Sequence, residues 1–120
     1  MQYMLLIYAD ESGWTTLSEE EQNGWMAKWG AYTEEVRAKG AFVAADRLQP
    51  SSTATIVQVR ENADPIVTDG PFVETKEQLG GYFLIEAESV DEALEWAGKI
   101  PRGTVEVRPV VPMRVESTTG

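Results

Sequence analysis

The residues best suited to chemistry in this chain lie in one run, Asp69-Gly70-Pro71-Phe72-Val73-Glu74-Thr75-Lys76-Glu77-Gln78-Leu79-Gly80-Gly81. Pro71 stiffens a turn in which Gly70 can take extended or positive-φ backbone closed to other residues. Such a turn would project Asp69, Glu74, Lys76 and Glu77 toward one concavity, beside Gly80 and Gly81, where backbone can approach a ligand closely. Crowded ionisable groups split their pKa values. Lys76 would keep one carboxylate ionised while a neighbouring one is pushed upward, which makes acid and base roles available near neutral pH. The chemistry is proton transfer in a lyase or isomerase step. Asp69 or Glu74 would be the base, Lys76 the electrostatic partner or anion anchor, and Glu77 the orienting acid. The same residues also meet the needs of a plain turn, which local chemistry alone favours. Asp69 can accept from turn amides, Phe72 can anchor the turn, and Thr75 with Gln78 has capping-box spacing.

Composition narrows what else can act. The 120 residues include no histidine and no cysteine, which removes thiol nucleophiles, disulfides, thiolate metal sites and the commonest general base. No cofactor and no metal site is expected, and any metal would have to be a hard cation on oxygen ligands. A net charge of −10 would repel a phosphate backbone, so nucleic acid is not an expected partner. Glu19, Glu20, Glu21, Asp91 and Glu92 fall where helices should begin and read as solvated faces that complement helix dipoles. The apolar Met1 to Ala9 stretch is too short to span a bilayer and lacks signal-peptide features. No membrane partner and a cytoplasmic location are therefore expected.

The elements that must position the 69–81 run follow from periodicity. A hydrophobic fraction of 42% over this length suits a single core, read as one domain over 1–112 with a tail at 113–120. Tyr3, Leu5 and Ile7 alternate with Met4, Leu6 and Tyr8, apolar on both faces, which predicts a central strand. Ser18 with Glu21 opens a helix to about Lys39 along Trp25, Trp29, Tyr32 and Val36, closed by Gly40. Ala41 to Ala45 predicts a strand, Thr55 to Arg60 with Ile66 to Thr68 a hairpin, and Tyr82 to Ala87 another strand. Ser89 with Glu92 opens a helix whose buried stripe is Val90, Ala93, Leu94 and Ala97, and Val105 to Val110 is the last strand. This order is an α+β, ferredoxin-like split βαβ with an inserted β-hairpin. Two helices cover one face of such a sheet, so a second copy is the expected cover for the other, making a homodimer.

The run from Asp69 to Tyr82, followed by Asp91-Glu92-Ala93-Leu94-Glu95-Trp96-Ala97 and Ile100-Pro101, resembles the DGPF branch of the YCII-related family. The resemblance covers most of the chain, from Met4–Tyr8 through Leu48-Gln49-Pro50 to the terminal Val105–Pro109 segment. It implies a dimeric α-β barrel and a small-molecule ligand, with some relatives linked to ring cleavage or dehydrochlorination of aromatic breakdown products. It also implies a partner in a sigma-factor system. By position its motif falls on Asp69, Gly70, Pro71, Phe72, Glu74, Lys76, Glu77, Gly80 and Gly81, with Asp46 as an acidic partner at the end of the second strand. The YCII branch has a histidine on its first helix, proposed to pair with an aspartate. A chain without histidine cannot use that dyad, which leaves carboxylates, Lys76 or a tyrosine. Three readings follow: an enzyme, a non-enzymatic ligand-sensing or regulatory dimer, and a purely structural dimer.

Overall fold

The computed structural model describes residues 1–113. In chain order these form β1 (Gln2–Asp10), α1 (Glu11–Thr15), α2 (Glu19–Ala38), β2 (Phe42–Arg47), β3 (Thr55–Gln58), β4 (Ile66–Asp69), β5 (Glu77–Glu86), α3 (Val90–Gly98) and β6 (Thr104–Pro109). A 3-10 turn at Ser51–Thr53 follows β2. The main sheet has the order β2-β5-β1-β6 with every pairing antiparallel, and β3 and β4 form a separate two-stranded ribbon. This mixed α+β arrangement is compatible with a ferredoxin-like fold. One chain makes an open sheet rather than a closed barrel, with β2 and β6 at the edges. The expected tail lies, from residue 114 on, outside the described residues.

Strand alternation divides β1 as its sequence suggests, because successive side chains point to opposite faces. Tyr3, Leu5 and Ile7 are buried with Phe83 and Ile85 of β5 under Tyr32 and Val36 of α2 and Ala93 and Trp96 of α3. Aromatic rings pack edge-on and stacked within this layer. Phe83 meets Tyr32 edge-on at 5.1 Å and stacks near Trp29 at 6.3 Å. Both arms of the Ser18–Glu21 capping box form at the start of α2, and Gly40 closes the helix at φ 72°, a conformation open to glycine.

Several expectations need correction. A short helix, α1, follows β1 without a sequence-based expectation, capped by Asp10 accepting from the Ser12 amide. Helix α3 buries Ala93 and Trp96, while Val90 and Leu94 stay 48% and 50% exposed. Trp96 offers the largest apolar surface on that helix and so decides which side faces the sheet. Only one arm of the second capping box forms: Ser89 accepts from the Glu92 amide, but the Glu92 carboxylate accepts from the Glu88 amide. Strand β5 begins at Glu77 rather than Tyr82, because residues 77–81 find ladder partners on β1 and β2.

Candidate functional site

The site is built where the end of β1 meets the segment leading into β5. The register sets Asp10 opposite Glu77, so the last residues of the central strand lie against the 69–78 run. Gly70 holds φ 104°, and its amide donates to the Ala54 carbonyl at 2.7 Å, which pins the turn to the base of the β3–β4 ribbon. The capping-box geometry expected for Thr75 and Gln78 is not formed. Instead the Gln78 side-chain amide donates to the carbonyls of Val73 at 2.8 Å and Thr75 at 3.0 Å, and the Thr75 hydroxyl donates to the Glu77 carbonyl. The segment is thus wrapped around Gln78 as an irregular turn, and side chains satisfy carbonyls that a helix or ladder would otherwise serve.

Against this turn lies a concavity of about 520 Å³ whose wall includes Asp10, Glu11, Asp69, Gly70, Glu74 and Lys76. Asp69, Glu74 and Lys76 are therefore brought together, as the sequence suggested, but in a solvent-facing hollow, with all three side chains exposed. Asp10 is held below the ordinary carboxylate range, chiefly by the Ser12 hydroxyl bond at 2.6 Å; the Ser12 amide and the Lys76 ammonium act in the same direction, against a small desolvation. The Glu11 carboxylate accepts from the Ser51 amide at 3.0 and 3.2 Å, which ties α1 to the 3-10 turn forming the far wall.

A second groove, of about 660 Å³, adjoins the first across Pro71, Thr75 and Gln78. Tyr8, Leu48, Ile56, Phe72, Glu77 and Leu79 line it, and Phe72 is 76% exposed. The Tyr8 hydroxyl donates to Glu106 at 3.2 Å, and Glu106 is paired with Arg108 at 2.7 Å. Slight burial, then Glu106, hold the Tyr8 phenol above its ordinary pKa.

The other sequence-predicted residues stand elsewhere. Glu77 faces the second groove rather than the first concavity. Asp46 lies in β2, where its carboxylate accepts from the Tyr82 hydroxyl at 2.6 Å, away from both hollows. Gly80 and Gly81 are ladder residues of β5. A Cβ on Gly81 would stand 2.8 Å from the Asp46 carbonyl, so this glycine permits close approach of β2. Sequence reasoning missed Asp10, Glu11 and Tyr8. The Asp10-x-Ser12 spacing is a helix-capping signal and marks Asp10, but the pairing that sets Asp10 beside the turn is a long-range fact with no local trace. Among the described residues no group of three or more carboxylates is arranged to hold a metal ion.

Fold and site together define an α+β domain that carries an acidic Gly-Pro turn against its central strand. The chain belongs to the YCII-related domain family, whose model matches residues 1–114. It is similar to an uncharacterized protein of Rhizobium meliloti (strain 1021), with 37% identity over 115 residues, 92% of each chain.

Proposed function

We propose that this chain is a small-molecule enzyme whose proton-transfer step, of lyase or isomerase type, runs on carboxylates at the 69–76 turn. The supporting observation is the convergence of Asp69, Glu74 and Lys76 with Asp10 on one concavity, where no histidine or cysteine competes for the role. Asp69 or Glu74 acts as base, and Lys76 steadies the developing anion. Deuterium incorporation from D2O into a panel of small carbonyl compounds with acidic C–H bonds, followed by proton NMR, tests this. Wild-type protein should accelerate exchange for at least one compound, with Asp69→Asn or Glu74→Gln abolishing it while circular dichroism stays unchanged. Equal exchange in wild type and both variants would remove the enzymatic reading.

The working unit is a homodimer in this reading. Met4, Leu6, Tyr82 and Leu84 lie on the sheet face opposite the helices, as the Met4–Leu84 and Leu6–Tyr82 pairings require, and a second copy would cover it. One observation favours a second reading, a ligand-sensing module with a regulatory partner such as a component of a sigma-factor system. Val57, Val59 and Val67 of the ribbon and its connection are 54%, 85% and 64% exposed, an apolar surface available to another protein. Under that reading Asp69→Asn weakens ligand binding and no turnover is found.

A further inference from the structure

The second groove differs chemically from the carboxylate concavity. Its walls are mostly apolar, including Leu48, Pro50, Ile56, Phe72 and Leu79; Glu77 is its one carboxylate, and no lysine or arginine lines it. Of its polar side chains, Gln49 and Ser51 keep donors for an occupant, while the others have spent their protons elsewhere. The Tyr8 hydroxyl donates to Glu106, the Thr53 hydroxyl to the Pro50 carbonyl, the Thr75 hydroxyl to the Glu77 carbonyl, and the Gln78 amide to the carbonyls of Val73 and Thr75. What these groups present to an occupant is lone pairs: a phenol oxygen, hydroxyl oxygens and a carboxylate.

We infer that this groove binds a small organic cation, an ammonium group on an apolar or aromatic body. The ammonium is all donor and no acceptor, the complement of these lone pairs. The exposed Phe72 ring and the Tyr8 ring suit an ammonium or an aromatic body. The field points the same way: the chain carries −10, and the adjoining concavity adds Asp10, Glu11, Asp69 and Glu74 against Lys76 alone. A carboxylate-bearing ligand of equal size would meet repulsion from Glu77 and the acidic surroundings, with only the neutral Gln49 and Ser51 donors to offset it. The volume of about 660 Å³ is within the range of small-molecule pockets. This inference stands on the second groove and is independent of proton transfer at the first.

The test is a titration of nitrogen-15-labelled full chain with 2-phenylethylammonium, 2-phenylethanol and 3-phenylpropanoate, bodies of matched size bearing positive, neutral and negative ends. The cation should shift the amides of Tyr8, Ile56, Phe72 and Leu79 and bind about tenfold more tightly than the alcohol, with the propanoate not saturating. Glu77→Gln, an exposed change that leaves the fold intact, should cut the preference for cation over alcohol to about twofold, and added salt should do the same in wild type. Phe72→Ala should weaken cation and alcohol together. Equal binding of the propanoate, a preference unchanged in Glu77→Gln, shifts centred on Asp69 and Glu74, or no saturable binding of the cation would each overturn the inference.

Discussion

One hydroxyl joins the two long helices: Tyr32 of α2 donates to the Trp96 carbonyl of α3 at 2.9 Å, in buried surroundings. Tyr32→Phe removes that bond and leaves the carbonyl without its partner, so stability in urea should fall by about 1–2 kcal/mol. Burial, with Glu35 adding to it, raises the Tyr32 pKa. A raised tyrosine contributes stability that is fully present below the unfolded value of about 10 and is lost as pH rises through the folded value. Alkaline melts should therefore show wild type progressively losing its advantage over Tyr32→Phe once pH rises above about 10. Tyr82 offers a second check, because its pKa is raised first by the bond to Asp46. Asp46→Ala should let one tyrosine ionise at lower pH, read from the tyrosinate absorbance band. At this scale the sequence was legible where chemistry is local. Asp69, Glu74 and Lys76 share a turn and do share a concavity, whereas Glu77 enters β5 and turns to the other groove, and Asp46 is engaged by Tyr82 across a strand pair.

Elements place these side chains through a few tight contacts. A Cβ on Gly81 would collide with the Asp46 carbonyl at 2.8 Å, so Gly81→Ala should part β2 from β5 and cost about 1–3 kcal/mol. Gly103 is under double constraint, with φ 106° and a Cβ position 2.7 Å from the Tyr8 carbonyl; Gly103→Ala should disturb the β1–β6 pairing beside Tyr8. Ser18→Ala removes a capping box and should lower stability by about 1 kcal/mol, measurable by thermal melting. Strands with clear alternation, such as β1, and helices with both caps, such as α2, were readable because the signals lie within a few residues. The start of β5 was not, since Glu77 to Gly81 carry turn-like residues and become strand only because β1 and β2 supply partners. The facing of α3 failed for a related reason: Val90 and Leu94 fit a buried stripe as well as Trp96 does until the sheet beneath is in place.

For the whole molecule, the helices cover one sheet face, and the face of Met4, Leu6, Tyr82 and Leu84 on the other side is the surface that the proposed dimer would bury. Sedimentation should give the mass of two chains, and Leu84→Glu, which sets a charge on that face, should give the mass of one with the fold retained. The order of elements, and with it the mixed α+β class, was legible because local patterns were right in sequence; how two grooves arise beside one turn depended on long-range pairing. In the proposed function, a small molecule is met at the 69–79 segment. The most direct test is a fragment screen of isotope-labelled protein by amide chemical shifts, using cationic, neutral and anionic compounds alike. Saturable hits should converge on residues 69–79 and on the facing walls at 8–11 and 48–56. Hits that spread over the surface, or that gather on the helices while the 69–79 amides stay unmoved, would contradict the proposal.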